Sequence, residues 1–331
     1  MNKNKGEGPN KRFLPPFVQY AEWLQLCCFS AIMFVSGIYI PVIGAITSLL
    51  SPVPISLIGI RQGSDKAFLA VVFVATLLFL PLGFAGSMSF VFFSGLLGLI
   101  FCGVIKKSNS AGEAIFGLTV AAIIFKLICM GLMVYTIGKN PFKFDENSVN
   151  AIVNSLKESG VGESILKTVR QHINLIIPSF LIMASGLDAY INYLFVSRIE
   201  RRRRKMSNNE GAERNAVEIM LIPPFEQWSF PRSVMTAFFL AFLITLFENY
   251  DTSIMLISAE LNLKILTFVI FFIQGTCFTW WWTLHKNFPY GIRLSIIFVL
   301  LFIPIFSLGL IVLGMLDIAL NLRQRIRRDN K

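Results

Sequence analysis

The sequence predicts an all-α, polytopic integral membrane protein with about eight or nine transmembrane helices, and three observations carry that expectation. Of 331 residues, 55% are hydrophobic and only 15% are charged, against roughly 25% charged in an average soluble domain. The mean hydropathy is +0.66. The apolar residues gather into runs near the roughly 20 residues that a membrane-crossing helix needs. Such a chain has too little polar surface to cover itself in water. A soluble enzyme of this size, a disordered protein and a secreted disulfide scaffold are therefore excluded.

Taken in order, residues 1–23 form a polar, Lys-rich N-terminus. The apolar run that opens at Leu24 lacks an A-x-A cleavage site, and Cys27 is preceded by Leu26 rather than a small residue, so an uncleaved first helix is expected. The predicted spans are 24–40, 41–60, 66–83, 88–105, 113–137, 173–197, 232–248, 263–284 and 292–319. The first two abut at Pro41, and Pro52 and Pro54 interrupt the second. Proline removes backbone donors, so this stretch is expected to be kinked or re-entrant and covered by neighbouring helices.

Charge orients the spans. With Lys3, Lys5, Lys11 and Arg12 in the cytoplasm, Arg61, Lys66, Lys106, Lys107 and the run Arg198 to Lys205 also fall inside. The uncharged turn 82–87 and the mixed-charge loop 138–171 fall outside. Farther on, Glu248, Asp251 and Glu260 fall outside, and Lys286 and Arg293 inside. A single last span would put Arg323, Arg325, Arg327 and Arg328 outside, against the rule, unless Pro304 splits 292–319 into a re-entrant pair. The chain thus reads as a six-helix block (24–197), a basic cytoplasmic linker (198–222) and a second membrane block with a basic tail (223–331). In the external loop, Val149, Ile152, Val153 and Leu156 recur at helical spacing, as in a surface amphipathic helix or a lid.

Lys126 lies in the middle of the fifth helix, where a charge normally pairs or faces a polar cavity. Its predicted partner is Asp188, since the two lie about 20 Å and about 14 Å from the cytoplasmic ends of their helices at about 1.5 Å per residue. Ser185 and Asn192 flank Asp188 within about one turn, and Asn192 shares its face at i, i+4. Together these four residues read either as a small-molecule or ion site or as an interhelical ion pair that fixes packing. Pro41, Pro52, Pro54, Arg61, Asp317 and Arg323 read as structural or interface positions, with Asp317 expected to bridge to Arg323 or to a neighbouring helix. The cluster Arg201, Arg202, Arg203 and Arg204 is expected to dock on anionic lipid or on a protein partner, not on nucleic acid. The triplet Trp280–Trp282 suits the headgroup level, with a cation-binding aromatic cage as the sharper reading.

All five cysteines (Cys27, Cys28, Cys102, Cys129, Cys277) fall in apolar runs and read as small buried hydrophobes. His172 and His285 have no ligand-spaced partners, so neither metal nor cofactor is expected. GxxxxGK[ST], GxSxG, HExxH and the Gly-x-Gly-Asp of intramembrane aspartyl proteases are all absent, and the expectation is a non-enzyme without its own ATPase.

Four stretches resemble the YybS-like family of predicted bacterial membrane proteins, which has no established function. They are Tyr39 to Gly63 (YIPVIGAITSLLSPVPISLIGIRQG), Leu96 to Lys107 (LLGLIFCGVIKK), Asn262 to Gly275 (NLKILTFVIFFIQG) and Leu313 to Arg325 (LGMLDIALNLRQR). The front half of that family is itself similar to the S-components of energy-coupling-factor vitamin transporters and to the rod-shape protein MreD. The resemblance implies a multi-pass protein of the bacterial inner membrane. It implies either a small-molecule binding or transport module served by a separate energising complex, or a non-catalytic scaffold of envelope or morphology machinery.

Overall fold

The computed structural model describes residues 16–137, 146–160, 162–206, 219–248 and 254–329. Lys3, Lys5, Lys11, Arg12, the start of the external loop (138–145), residues 207–218 of the linker and Asp251 lie outside them. No strand occurs among the described residues. Among the described residues, five helical stretches are long and apolar enough to cross a membrane: Phe17–Tyr39, Ser64–Lys107, Ala111–Tyr135, Ile177–Lys205 and Ile254–His285. A bent pair, Tyr290–Phe302 with Phe306–Leu320, makes a sixth if counted as one. Packing divides the chain into two units, residues 1–141 with 184–222 and residues 142–183 with 223–331, so most of loop 138–171 groups with the C-terminal part.

The first unit begins with α1 (Pro16–Tyr39), α2 (Pro41–Leu50) and α3 (Pro52–Gln62). The prolines stand at helix starts, where the missing N–H costs nothing. Cross-contacts descend α1 as they advance along α2 and α3. Ser36 Oγ donates to Thr47 Oγ1 (2.9 Å), Ser30 Oγ to Ser51 O (2.9 Å), and Gln62 Nε2 to Gln19 O (3.2 Å). The proline-rich stretch is therefore a kinked return arm along α1 and not a loop that turns back midway. Its α3 half is its most covered part, with Pro52 through Gly59 all buried. Val53 and Leu57 enter one core with residues of later helices such as Phe101, Leu118 and Tyr193, while Ile55 and Ile58 enter a second core with Phe34, Val74 and Leu78. A helix that is apolar all round packs on all sides.

Next come α4 (Ser64–Phe90), a π-helical turn (Val91–Gly95) and α5 (Leu96–Lys107). Gly83 adopts φ 66°, ψ −172°, a conformation that glycine tolerates and other residues rarely adopt. Ser87 Oγ reaches Ala75 O at 2.7 Å across twelve residues, which a straight helix would separate by about 18 Å. The 44-residue apolar stretch is thus two antiparallel arms, with the reversal inside the expected turn 82–87. At Gly98 a Cβ would lie 2.7 Å from Ile55 Cβ, so this glycine is what lets α5 lie against α3. Then α6 (Ala111–Ile137) is started by Ser110, whose Oγ accepts from the Glu113 amide, while the Glu113 carboxylate takes the Asn109 amide.

In the second unit, α7 (Glu146–Glu158) and α8 (Glu163–His172) lie where one amphipathic helix was expected. Gly160, at φ 82°, breaks the run, and the Arg170 guanidinium donates to Asn150 across the two helices. The long α9 (Ile177–Met206) starts in this unit and continues in the first. It is followed by α10 (Ser233–Glu248), α11 (Ile254–His285), α12 (Tyr290–Phe302), α13 (Pro304–Leu320) and α14 (Leu322–Asp329).

Helices α10 and α11 are antiparallel. Thr245 meets Glu260, the Phe238 ring packs edge-on to Phe271 and tilted against Phe268, and the Phe230 amide reaches Gln274. Glu260, which the expected spans leave between 248 and 263, falls within a helix. It lies inside α11, 3% exposed, accepting from Thr245 Oγ1 (2.7 Å) and paired with Lys264 one turn on. Sequence counting missed it because α11 begins nine residues before the expected 263, and ion pairing lets the helix continue through the charges. Helices α12 and α13 are bent by 106°. Arg323, just beyond α13, bonds the backbone carbonyls of Glu226 and Trp228, close before α10. The end of α13 therefore lies toward the same half of α11 as the start of α12.

A polar seam along α9 as candidate functional site

Ser185, Asp188, Asn192 and Glu200 recur along α9 at intervals of three, four and eight residues, which keeps them on one helix face. That face is buried: Ser185 and Asn192 are 0% exposed and Glu200 5%. In the first unit the face meets three partners. The Lys126 ammonium of α6, 5% exposed, donates to the Asp188 carboxylate. Asn192 Nδ2 donates to Ser56 Oγ of α3 at 3.1 Å, and that hydroxyl donates to Pro52 O at 3.1 Å. Arg61, at the end of α3, donates from Nε to Glu200 Oε1 at 2.5 Å and from Nη1 to the Glu22 carboxylate of α1. Ser185 Oγ is buried with no hydrogen-bond partner among the described residues.

The three layers are stacked along α9 over about 18 Å from Asp188 to Glu200 at about 1.5 Å per residue. Among the described residues, the layers pair three carboxylates (Glu22, Asp188, Glu200) with two cations (Arg61, Lys126), Arg61 being shared by Glu22 and Glu200. A charge at mid-membrane costs about 2.5–3.5 kcal/mol unless it is paired, which is the physical reason the lysine and aspartate lie together.

Three of the four candidate residues thus divide between two layers, and Ser185 joins neither. Lys126 meets Asp188, while Asn192 bonds Ser56 instead. Of the three structural prolines, Pro52 and Pro54 are buried at the start of α3, and Pro41 opens α2. Arg201 to Arg204 are exposed on the last turns of α9. Sequence reading missed Glu22, Ser56 and Glu200. Glu22 was grouped with the polar N-terminus and Glu200 with the basic linker, although Glu200 continues the spacing of Asp188 and Asn192 along one face.

A second polar network lies in the second unit. Asp317, 4% exposed, accepts from Gln274 Nε2 (2.5 Å) and pairs with Arg323 Nε (3.0 Å), as its sequence neighbourhood led us to expect of the helix end. Arg323 Nη1 also donates to Glu226 O (2.7 Å) and Trp228 O (3.0 Å). Arg323 therefore ties segment 223–230 to the end of α13. Arg323→Ala is expected to free that segment, giving faster proteolytic cleavage between Pro223 and Phe230 and a shifted Trp228 emission. Unchanged cleavage would mean that the segment is held by other contacts. The tryptophan triplet forms no open cage: Arg293 itself lies over Trp280 (5.3 Å) and Tyr290 (5.8 Å), and Trp281 stacks on His285 (5.4 Å). Four of the five cysteines are buried, and Cys28 faces outward.

The comparisons agree with the membrane reading. The chain is similar to "Uncharacterized protein YybS" from Bacillus subtilis (strain 168), 21% identical over 306 residues, covering 90% of this chain and 94% of that relative. No solved structure matches. These similarities carry the YybS-like resemblance and do not extend to S-components or MreD. A family described as "Predicted membrane protein (DUF2232)" matches residues 28–318, and the chain belongs to that family.

Proposed function

We propose that this protein is a multi-pass module of the bacterial cytoplasmic membrane that binds and moves a small polar or charged solute, without an ATPase of its own. The observation that supports this reading is the α9 seam, with its two ion-paired layers and an amide–hydroxyl layer between them. Intramembrane ionisable chains of this kind mark solute and proton paths. In this reading α1, α2 with α3, the two arms around Gly83, α6, α9, α10 and α11 make eight spans. Helices α12 and α13 then form a re-entrant pair that leaves Arg323 and Arg325 in the cytoplasm, as the charge rule requires.

The exposed Arg201–Arg204 run favours a second reading, a scaffold for envelope machinery. A mild-detergent pull-down from native membranes, read by mass spectrometry, separates the two. Recovery of a membrane coupling subunit with ATPases supports the transport reading. Recovery of envelope-synthesis proteins, lost when the four arginines are replaced by glutamine, would overturn it in favour of the scaffold.

A further inference from the structure

Outside the seam, the first unit carries a groove of about 520 Å³ between α1 and α4, lined by Tyr20, Trp23, Lys66, Leu69, Val72, Phe73 and Thr76. Its architecture follows from α4. Leu69, Val72, Phe73 and Thr76 recur at three- and four-residue intervals and form one stripe, with the Thr76 hydroxyl turned back onto Val72 O (2.9 Å). Trp23 forms the opposite wall, its ring 5.3 Å from Phe73 and its Nε1 donating to Lys66 O at 3.0 Å. The stripe is apolar and open: Leu69 is 59% and Val72 48% exposed.

At the mouth stands Lys66. Its ammonium lies 5.6 Å from the Tyr20 ring centre and donates to Gln19 Oε1 at 3.3 Å. Among the described residues no carboxylate lies within ion-pair distance of it, and nearby Glu22 is already held by Arg61. Lys66 therefore keeps its charge available at the cytoplasmic end of the groove. From Lys66 to Thr76 the helix rises about 15 Å, half of the roughly 30 Å hydrocarbon core. A cation at the headgroup level, two interfacial aromatic rings and an apolar trough one leaflet deep match one molecule in both charge and length.

We propose that this groove is a binding site for one anionic phospholipid of the cytoplasmic leaflet, with its phosphate on Lys66 and an acyl chain along Leu69, Val72, Phe73 and Thr76. A lysine near an anionic headgroup contributes enough to bias occupancy about fivefold. The test uses the full chain, delipidated and returned to nanodiscs of equal phosphatidylglycerol and phosphatidylcholine. Lipid that stays bound through a second detergent extraction is quantified by mass spectrometry. The wild type should retain phosphatidylglycerol at about fivefold over the supplied ratio. Lys66→Gln should return the retained lipid to the supplied ratio. Lys66→Arg should keep the enrichment, and Lys106→Gln, at the same membrane face, should leave it unchanged. Val72→Trp, which fills the trough, should lower total retained lipid by one molecule per chain. Retention at the supplied ratio by the wild type, undiminished enrichment in Lys66→Gln, or an equal loss in Lys106→Gln would each overturn the site.

Discussion

Gly314→Leu is expected to leave no folded second unit, and Gly314→Ala to destabilise it by about 3 kcal/mol or more, at the upper end of what overpacking costs. A Cβ at Gly314 would lie 1.9 Å from Phe271 O, and one at Gly275 would lie 1.9 Å from Leu310 O. Both obstacles are backbone atoms, which cannot rotate aside, so α11 and α13 would have to separate. Separation would also pull Gln274 Nε2 from Asp317, breaking a buried hydrogen bond. The control lies on the same helix: at Gly309 nothing stands within 4 Å of an added Cβ, so Gly309→Ala should stay within about 0.5 kcal/mol of wild type. Thermal unfolding in detergent, read by fluorescence-detected size exclusion, compares them. Equal midpoints for Gly314→Ala and Gly309→Ala would show that the two helices do not cross there.

Lys126→Met and Asp188→Leu should each cost about 3–5 kcal/mol, because each leaves the other charge buried and alone. The double variant replaces both charges by apolar side chains and should recover to within about 1 kcal/mol of wild type, if not above it. A double-mutant cycle on unfolding midpoints measures that coupling. Additive losses would mean that the two residues do not pair. The same double variant bears on function: it should fold and yet lose solute movement, whereas a pair that served packing alone would leave transport intact.

How much of this was legible in the residues differs from place to place. The reversal near Gly83 was legible because an uncharged Pro–Leu–Gly stretch interrupts two apolar runs, and the backbone needs glycine there. The Lys126–Asp188 pair was legible because the bilayer leaves a mid-helix lysine few places to go. Asn192 was read into the same site, yet it bonds Ser56 across 136 residues. Glu260 was read as loop, because its burial depends on Thr245 and Lys264, which only the packing of α10 on α11 brings to it.

The sequence by itself determined that the chain is helical and built for lipid, and where most of its arms begin and end. A bilayer demands that each arm satisfy its own backbone hydrogen bonds and cover about 20 residues, and those are local requirements that composition and spacing record. Tertiary structure alone decided which arms touch. It placed Arg61 between Glu22 and Glu200, 39 and 139 residues away, and laid Gly314 against Phe271 and Gly275. It also returned the end of α13 to the backbone that precedes α10. Those pairings depend on the fit of one helix surface against another, a property of two distant segments at once that the periodicity of neither segment contains.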